Sequence, residues 1–288
     1  MIKEGQFSSD YGERLNMFPV IAQWGSFRLY SYGLFMGVAF LIGILWAVRR
    51  ASRAGLPAFP FFEMGIYGGL ACIIGARFFY VLREWPHFSK YPAEIFRLWD
   101  GGLTLYGGYI ASLLFTFFFL HGLRLPIWKS LDVYAPSLPL GMAIGRLGCF
   151  FNGCCYGLRS DTWGVSFPSA HHPPVFMQQV RDGLIKGDSL RTLPVLPTQL
   201  YSAAVDLGIL FLLLWLERKS RFPGFIFWSF LLLYSFARWV VEFFRYHDPE
   251  EILPVLSLSL SQVISGAFAA SSIVMLMLLK PKAEGGNS

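Results

Sequence analysis

The sequence predicts an all-α polytopic membrane protein of about seven transmembrane helices, with the N-terminus outside, the C-terminus cytoplasmic and a small external cap. Three observations predict it. Only 15% of the 288 residues are charged and 55% are apolar, against roughly 25% charge in a soluble domain. The apolar residues gather into stretches of about 20, the length that crosses a bilayer core. Basic residues fall in short bursts between those stretches, mostly on one side. The 29 Phe and 9 Trp exclude a disordered chain. The six surplus positive charges form no stripe or arm of the kind that binds nucleic acid.

In chain order, residues 1–28 are an external N-terminal segment without the short apolar core and small-residue cleavage site of a signal peptide. Residues 29–151 hold four spans, near 29–48, 60–82, 104–123 and 130–151. Asp132, Pro136, Pro139 and Arg146 interrupt the fourth. Residues 152–198, rich in Gly, Pro, His and Ser, are long for a connection and are read as the external cap. Three more spans occupy 199–279, near 199–216, 224–244 and 254–279, and 280–288 is a cytoplasmic tail. Orientation follows from Arg49, Arg50, Arg53, Arg124, Lys129, Arg218, Lys219, Arg221, Lys280 and Lys282, which flank one side. On the other side Arg83, Lys90 and Arg97 are balanced by Glu84, Glu94 and Asp100, and Asp248, Glu250 and Glu251 follow Arg245.

Polar side chains inside spans are costly and mark function by default. With this orientation Tyr32, Arg77, Tyr80, Tyr106, Arg146, Cys149, Asn152, Gln199, Tyr201, Tyr234, Arg238, Glu242 and Arg245 all fall in the outer half. Structural polar residues would scatter over both leaflets, so convergence from six spans implies one outward-facing cavity. Tyr234, Arg238, Glu242 and Arg245 share a helical face. They are read either as a snorkelling helix end or as part of a site. Arginine binds phosphate through a planar fork and keeps its charge in apolar surroundings. Arg146 and Arg238 together therefore point to a phospholipid headgroup. Asp206, seven residues after Gln199, either anchors that wall or bonds a neighbouring helix.

Glycines bracket these polar residues twice: Gly101, Gly102, Gly107 and Gly108 around Tyr106, and Gly145, Gly148, Gly153 and Gly157 around Arg146. They serve close helix packing or a backbone that lines a cavity. Four cysteines are too few for a disulfide scaffold, yet Cys149, Cys154 and Cys155 fall within seven residues. Packing or a Cys149–Cys154 disulfide, a covalent relay through Cys149, and zinc are the readings open to them. Adjacent cysteines lack the C-x-x-C spacing of zinc sites, so no metal is expected. His171 and His172 are expected to be solvated.

The run Gly145 to Gly157, GRLGCFFNGCCYG, resembles the signature G-R-x-G-N-F-x-N-x-E-x-x-G of bacterial prolipoprotein diacylglyceryl transferases. The segments Tyr32 to Leu34, Gly102 to Gly108 and Pro197 to Tyr201, and the Arg238, Glu242, Arg245 spacing, are similar to further family motifs in the same order. The resemblance spans most of the first six helices. It implies a seven-span fold in the bacterial plasma (inner) membrane, with the active site facing the periplasm or exterior.

The implied reaction passes the diacylglyceryl group of phosphatidylglycerol to the lipobox cysteine thiol of a prolipoprotein, releasing glycerol phosphate. The partners implied are that lipid, the prolipoprotein signal peptide and membrane lipids, with no nucleic acid, cofactor or metal. Arg146, Arg238, Tyr106 and Glu242 are the expected catalytic residues; Tyr32, Asn152, Gly157, Gln199, Tyr201, Tyr234 and Arg245 are the expected substrate-binding residues. Three positions depart from the family: Tyr106 replaces a histidine, Cys149 an asparagine and Cys154 a glutamate. These departures keep two rivals open, a lipid-binding or lipid-translocating protein that has lost transfer, and a transferase with another acceptor.

Overall fold

The computed structural model describes residues 20–24, 27–98, 101–219, 222–246, 252–253 and 258–280. Residues 1–19 and the charged residues Asp100, Arg221, Asp248, Glu250, Glu251 and Lys282 lie outside the described residues. An antiparallel pair, β1 (Val20–Trp24) and β2 (Phe27–Tyr30), precedes α1 (Ser31–Arg53). There follow α2 (Ala58–Arg83), a single turn α3 (Trp85–Phe88), a 3-10 turn Pro92–Phe96, α4 (Leu105–Gly122), α5 (Ile127–Tyr134) and α6 (Ser137–Asn152). A folded connection carries α7 (Pro174–Arg181) and leads to α8 (Thr198–Glu217), α9 (Phe225–Glu242), the short pair β3 (Ile252–Leu253) and β4 (Leu258–Ser259), and α10 (Leu260–Leu279).

Among the described residues α1, α2, α8, α9 and α10 are long and apolar enough to cross a membrane, and α4 is a shorter apolar helix. Their outward faces are apolar: Phe118 is 65% exposed and Phe211 is 67% exposed. Large hydrocarbon side chains in that number are stable only against lipid or another protein. The expected fourth span, 130–151, is instead two helices, α5 and α6, broken after Tyr134. Pro136 and Pro139 explain the break, since proline lacks the amide hydrogen and clashes with the preceding turn. The expected seventh span begins six residues late, at Leu260, because Ser259 caps the helix. Its hydroxyl accepts from Gln262 N at 3.2 Å while Gln262 Oε1 accepts from Ser259 N at 2.9 Å, a capping box.

The chain divides into two compact units, Ile44–Tyr134 and the remainder. In the first, α2 packs on α4 through glycines. A Cβ on Gly107 would stand 2.7 Å from the Gly75 carbonyl, and one on Gly108 2.8 Å from Cys72 Sγ. The glycines beside Tyr106 are thus a close-packing device between two helices. Ala51, Phe61, Met64, Leu120 and Val133 form this unit's core.

Arg77 fixes the connection before α4. Its guanidinium donates to the carbonyls of Ile95 (2.9 Å), Gly101 (2.7 Å), Gly102 (3.1 Å), Glu94 (2.6 Å) and Arg97 (3.2 Å). All five donors of the side chain are thereby used. The expectation that Arg77 faces a cavity is corrected: its hydrogens are spent on backbone, which sequence spacing cannot reveal. Arg77→Lys keeps the charge but has three donors and no fork. It is expected to lower the stability of the purified protein by about 2–3 kcal/mol in denaturant titration.

In the second unit α6 packs on α8, and α9 packs on both α8 and α10. Residues 153–197 are not structureless. Phe150, Tyr156, Phe167, Val175 and Val195 make a core that joins them to the end of α6. Buried Gln179 of α7 clamps Leu193, accepting from its amide at 2.8 Å and donating to its carbonyl at 3.2 Å. His171 and His172 are exposed, in agreement with their expected solvation.

Candidate functional site

The second unit gathers most of the polar residues singled out in the sequence at one end of its helices. Tyr32 begins α1, Gln199 and Tyr201 begin α8, Arg146, Cys149 and Asn152 lie in the second half of α6, and Arg238 and Glu242 end α9. The close contact that aligns them is glycine-made. A Cβ on Gly148 would stand 2.9 Å from Phe35 Cβ and 3.4 Å from the Tyr32 carbonyl, so the start of α1 can lie against the end of α6.

Between α6, α8 and α9 is a narrow, open cleft lined by Arg146, Asp206, Tyr234 and Arg238 and walled by Val205 and Val241. Glu242, its side chain 2% exposed, pairs with Arg238 at 2.7 Å and lies 3.8 Å from Arg245. Ser259 Oγ also donates to Glu242 Oε1 at 3.0 Å, and Arg238 Nη2 donates to Ser261 Oγ at 3.3 Å. The start of α10 thus braces the ion pair, and sequence reasoning passed over it. The Ser259, Gln262 capping spacing was the available signal.

Arg146 differs from Arg238. Among the described residues its guanidinium makes no ion pair and no hydrogen bond, although the Asp206 carboxyl acts on it at longer range. Asp206 is 3% exposed, and its Oδ2 receives no hydrogen bond among the described residues. Arg146, Arg238 and the Asp206 carboxyl thus line one cleft, where the fork of Arg146 can take an anionic group.

The remaining candidates divide. Tyr32 and Tyr201 are 40% and 39% exposed, so their rings are open to a ligand. The Asn152 amide has no hydrogen bond among the described residues. Gln199 is fully buried and donates to the Cys154 carbonyl at 2.7 Å, so it holds backbone. Gly157 is a packing point, where a Cβ would stand 2.5 Å from the Phe244 carbonyl and 2.7 Å from Thr198 Cγ2. Arg245 reaches Cys155 Sγ at 3.6 Å. Tyr106, in the first turn of α4, belongs to the 44–134 unit.

All four cysteines are free thiols. The sulfurs of Cys149, Cys154 and Cys155 nonetheless lie within 4.8 Å of one another. Cys155, just beyond α6, is pulled below the ordinary thiol range. Hydrogen bonds from the Cys149 and Cys154 thiols contribute most, then Arg245 and Arg146, against the opposing effect of burial.

A family model described as prolipoprotein diacylglyceryl transferase matches residues 19–278. A relative from Geobacillus kaustophilus, named phosphatidylglycerol--prolipoprotein diacylglyceryl transferase, is 34% identical, covering 91% of this chain and 93% of its own. Relatives of the same name from Limosilactobacillus reuteri and Bacillus velezensis are each 30% identical. They cover 92% of this chain, and 92% and 93% of their own length respectively.

Proposed function

Because this chain belongs to the prolipoprotein diacylglyceryl transferase family, we propose how its residues carry out that reaction. The protein is a membrane transferase of lipoprotein biosynthesis; it moves the diacylglyceryl group of phosphatidylglycerol to a prolipoprotein. The acceptor is the lipobox cysteine of the signal peptide. Its thiolate attacks the glyceryl carbon; a C–S bond forms, the C–O bond to phosphate breaks, and the electron pair leaves with glycerol phosphate.

Negative charge grows on the phosphate as that bond breaks. Preorganised cations in a dry site stabilise such charge more than any other single device. Arg146 is free to hold the phosphate, and Arg238, with Glu242 taking up part of its charge, orients the headgroup. The single observation that carries this reading is the guanidinium of Arg146, unpaired among the described residues, in one cleft with Arg238. The field of the arginines also lowers the pKa of an incoming thiol from about 8.5, so a dedicated histidine base is less necessary. Tyr106→Phe is accordingly expected to retain measurable transfer in a vesicle assay; complete loss would make the phenol essential.

The site faces the periplasm or exterior, the N-terminus lies on that side and the C-terminus is cytoplasmic. What supports this is that α1 and α8 begin at the site and end at the basic residues Arg50, Arg53, Arg218 and Lys219, which belong inside. The 152–198 segment is then an external cap, in the plasma (inner) membrane of a bacterium. Cys149 and Cys154, at two signature positions, favour one rival: a lipid-binding protein that has lost transfer. Radiolabelled phosphatidylglycerol incubated with a lipobox peptide separates the two. Labelled peptide is the expected product; bound lipid without product would sustain the rival.

A further inference from the structure

The transfer chemistry leaves three thiols unused, and their geometry is that of a ligand set. Cys149 lies in the last turn of α6, which Gly153 ends in the left-handed conformation at φ 69°. Cys155 adopts φ 58° itself, the left-handed region that a residue with a Cβ rarely adopts. The two turns fold the chain back so that all three sulfurs lie within 4.8 Å of one another. Three thiolates in a trigonal plane about one ion, with bonds of about 2.3 Å, hold their sulfurs about 4.0 Å apart. Closing the present cluster onto an ion needs shifts of about an ångström or less.

Neighbouring side chains hold this arrangement. Gln199 Nε2 donates to the Cys154 carbonyl at 2.7 Å, Thr198 Oγ1 donates to the Cys155 carbonyl at 2.8 Å, and Arg245 Nη2 points at Cys155 Sγ from 3.6 Å. Supporting partners of this kind are what orient metal ligands.

We propose that Cys149, Cys154 and Cys155 form a trithiolate site for a soft, three-coordinate monovalent cation, of which Cu(I) is the type. Thiolates select soft ions such as Cu(I) and zinc, and ligand count chooses between them. No other His, Cys, Asp or Glu joins the sulfurs among the described residues, which leaves a tetrahedral zinc centre one protein ligand short. Three thiolates and one monovalent ion carry two negative charges. Arg245, with Nη2 3.6 Å from Cys155 Sγ, offsets part of that charge. Binding releases to solvent the protons that the thiols still carry and transfers no electron. This site is independent of the transfer reading, because its occupancy is measured without turnover.

The test uses the full chain, purified in detergent under anaerobic reducing conditions and titrated with Cu(I) against a chromophoric Cu(I) chelator. One Cu(I) per chain is expected, with three sulfur neighbours by X-ray absorption. On adding Cu(I), Cys149, Cys154 and Cys155 should lose reactivity toward iodoacetamide while Cys72 keeps its own, read by peptide mass spectrometry. Cys154→Ser should weaken binding at least about tenfold, and Cys72→Ser should not. The labelling is read on the unmutated chain and so does not depend on a variant folding. Failure of the wild type to outcompete the variant lacking all three cysteines would overturn the proposal, as would Zn(II) held in preference to Cu(I).

Discussion

Arg146→Ala is expected to lower the rate of diacylglyceryl transfer by at least about 10²- to 10³-fold, the loss that follows removal of one preorganised group from a developing oxyanion. Arg146 makes no ion pair or hydrogen bond among the described residues, so its replacement disturbs no bond of the resting fold and the loss should fall on turnover. Arg146→Lys keeps the charge without the fork and should give an intermediate rate. Arg238→Ala should be similarly inactive but also less stable, because it removes the cation 2.7 Å from buried Glu242, where Arg245 stands farther off at 3.8 Å. Radiolabelled phosphatidylglycerol and a lipobox peptide in vesicles measure all three. Full activity of both alanine variants would sink the headgroup-clamp reading.

The second large effect is on stability. Glu242→Ala removes the carboxylate that faces Arg238 at 2.7 Å and accepts from Ser259 at 3.0 Å, in a position where its side chain is 2% exposed. Breaking a buried pair by deleting one partner costs about 3–5 kcal/mol, because the surviving charge stays buried. Thermal unfolding in detergent should show that loss, and Glu242→Gln, which can still accept from Ser259, should fall between. An alanine variant as stable as the wild type would mean that water or lipid already solvates Arg238.

How much of this was legible differs residue by residue. The spacing of Arg238, Glu242 and Arg245 on one helix was readable because contacts three and four apart are local, and the structure pairs Glu242 with both. Ser259, seventeen residues further on, was not, because its approach to Glu242 depends on how α10 packs on α9. Arg77 looked like a cavity residue. What answers its five donors is backbone carbonyl, a group every residue carries and no side-chain pattern announces.

The cysteines show the same limit from the other side. Adjacent Cys154 and Cys155 argue against zinc by spacing alone. Left-handed turns at Gly153 and Cys155 bring them together with Cys149 all the same. The break between α5 and α6 was half legible: Pro136 and Pro139 were seen as interruptions, but a proline can kink a span or end it, and neighbours decide which.

By itself the sequence determined the membrane-spanning character, the order of the helices and the chemistry available at their ends, since bilayer thickness and the cost of buried charge act on short local stretches. Only the tertiary structure decided which arginine is paired among the described residues and which is not, and which cysteines meet. Those outcomes depend on contacts between residues tens of positions apart, and such contacts are made by packing rather than by sequence neighbourhood.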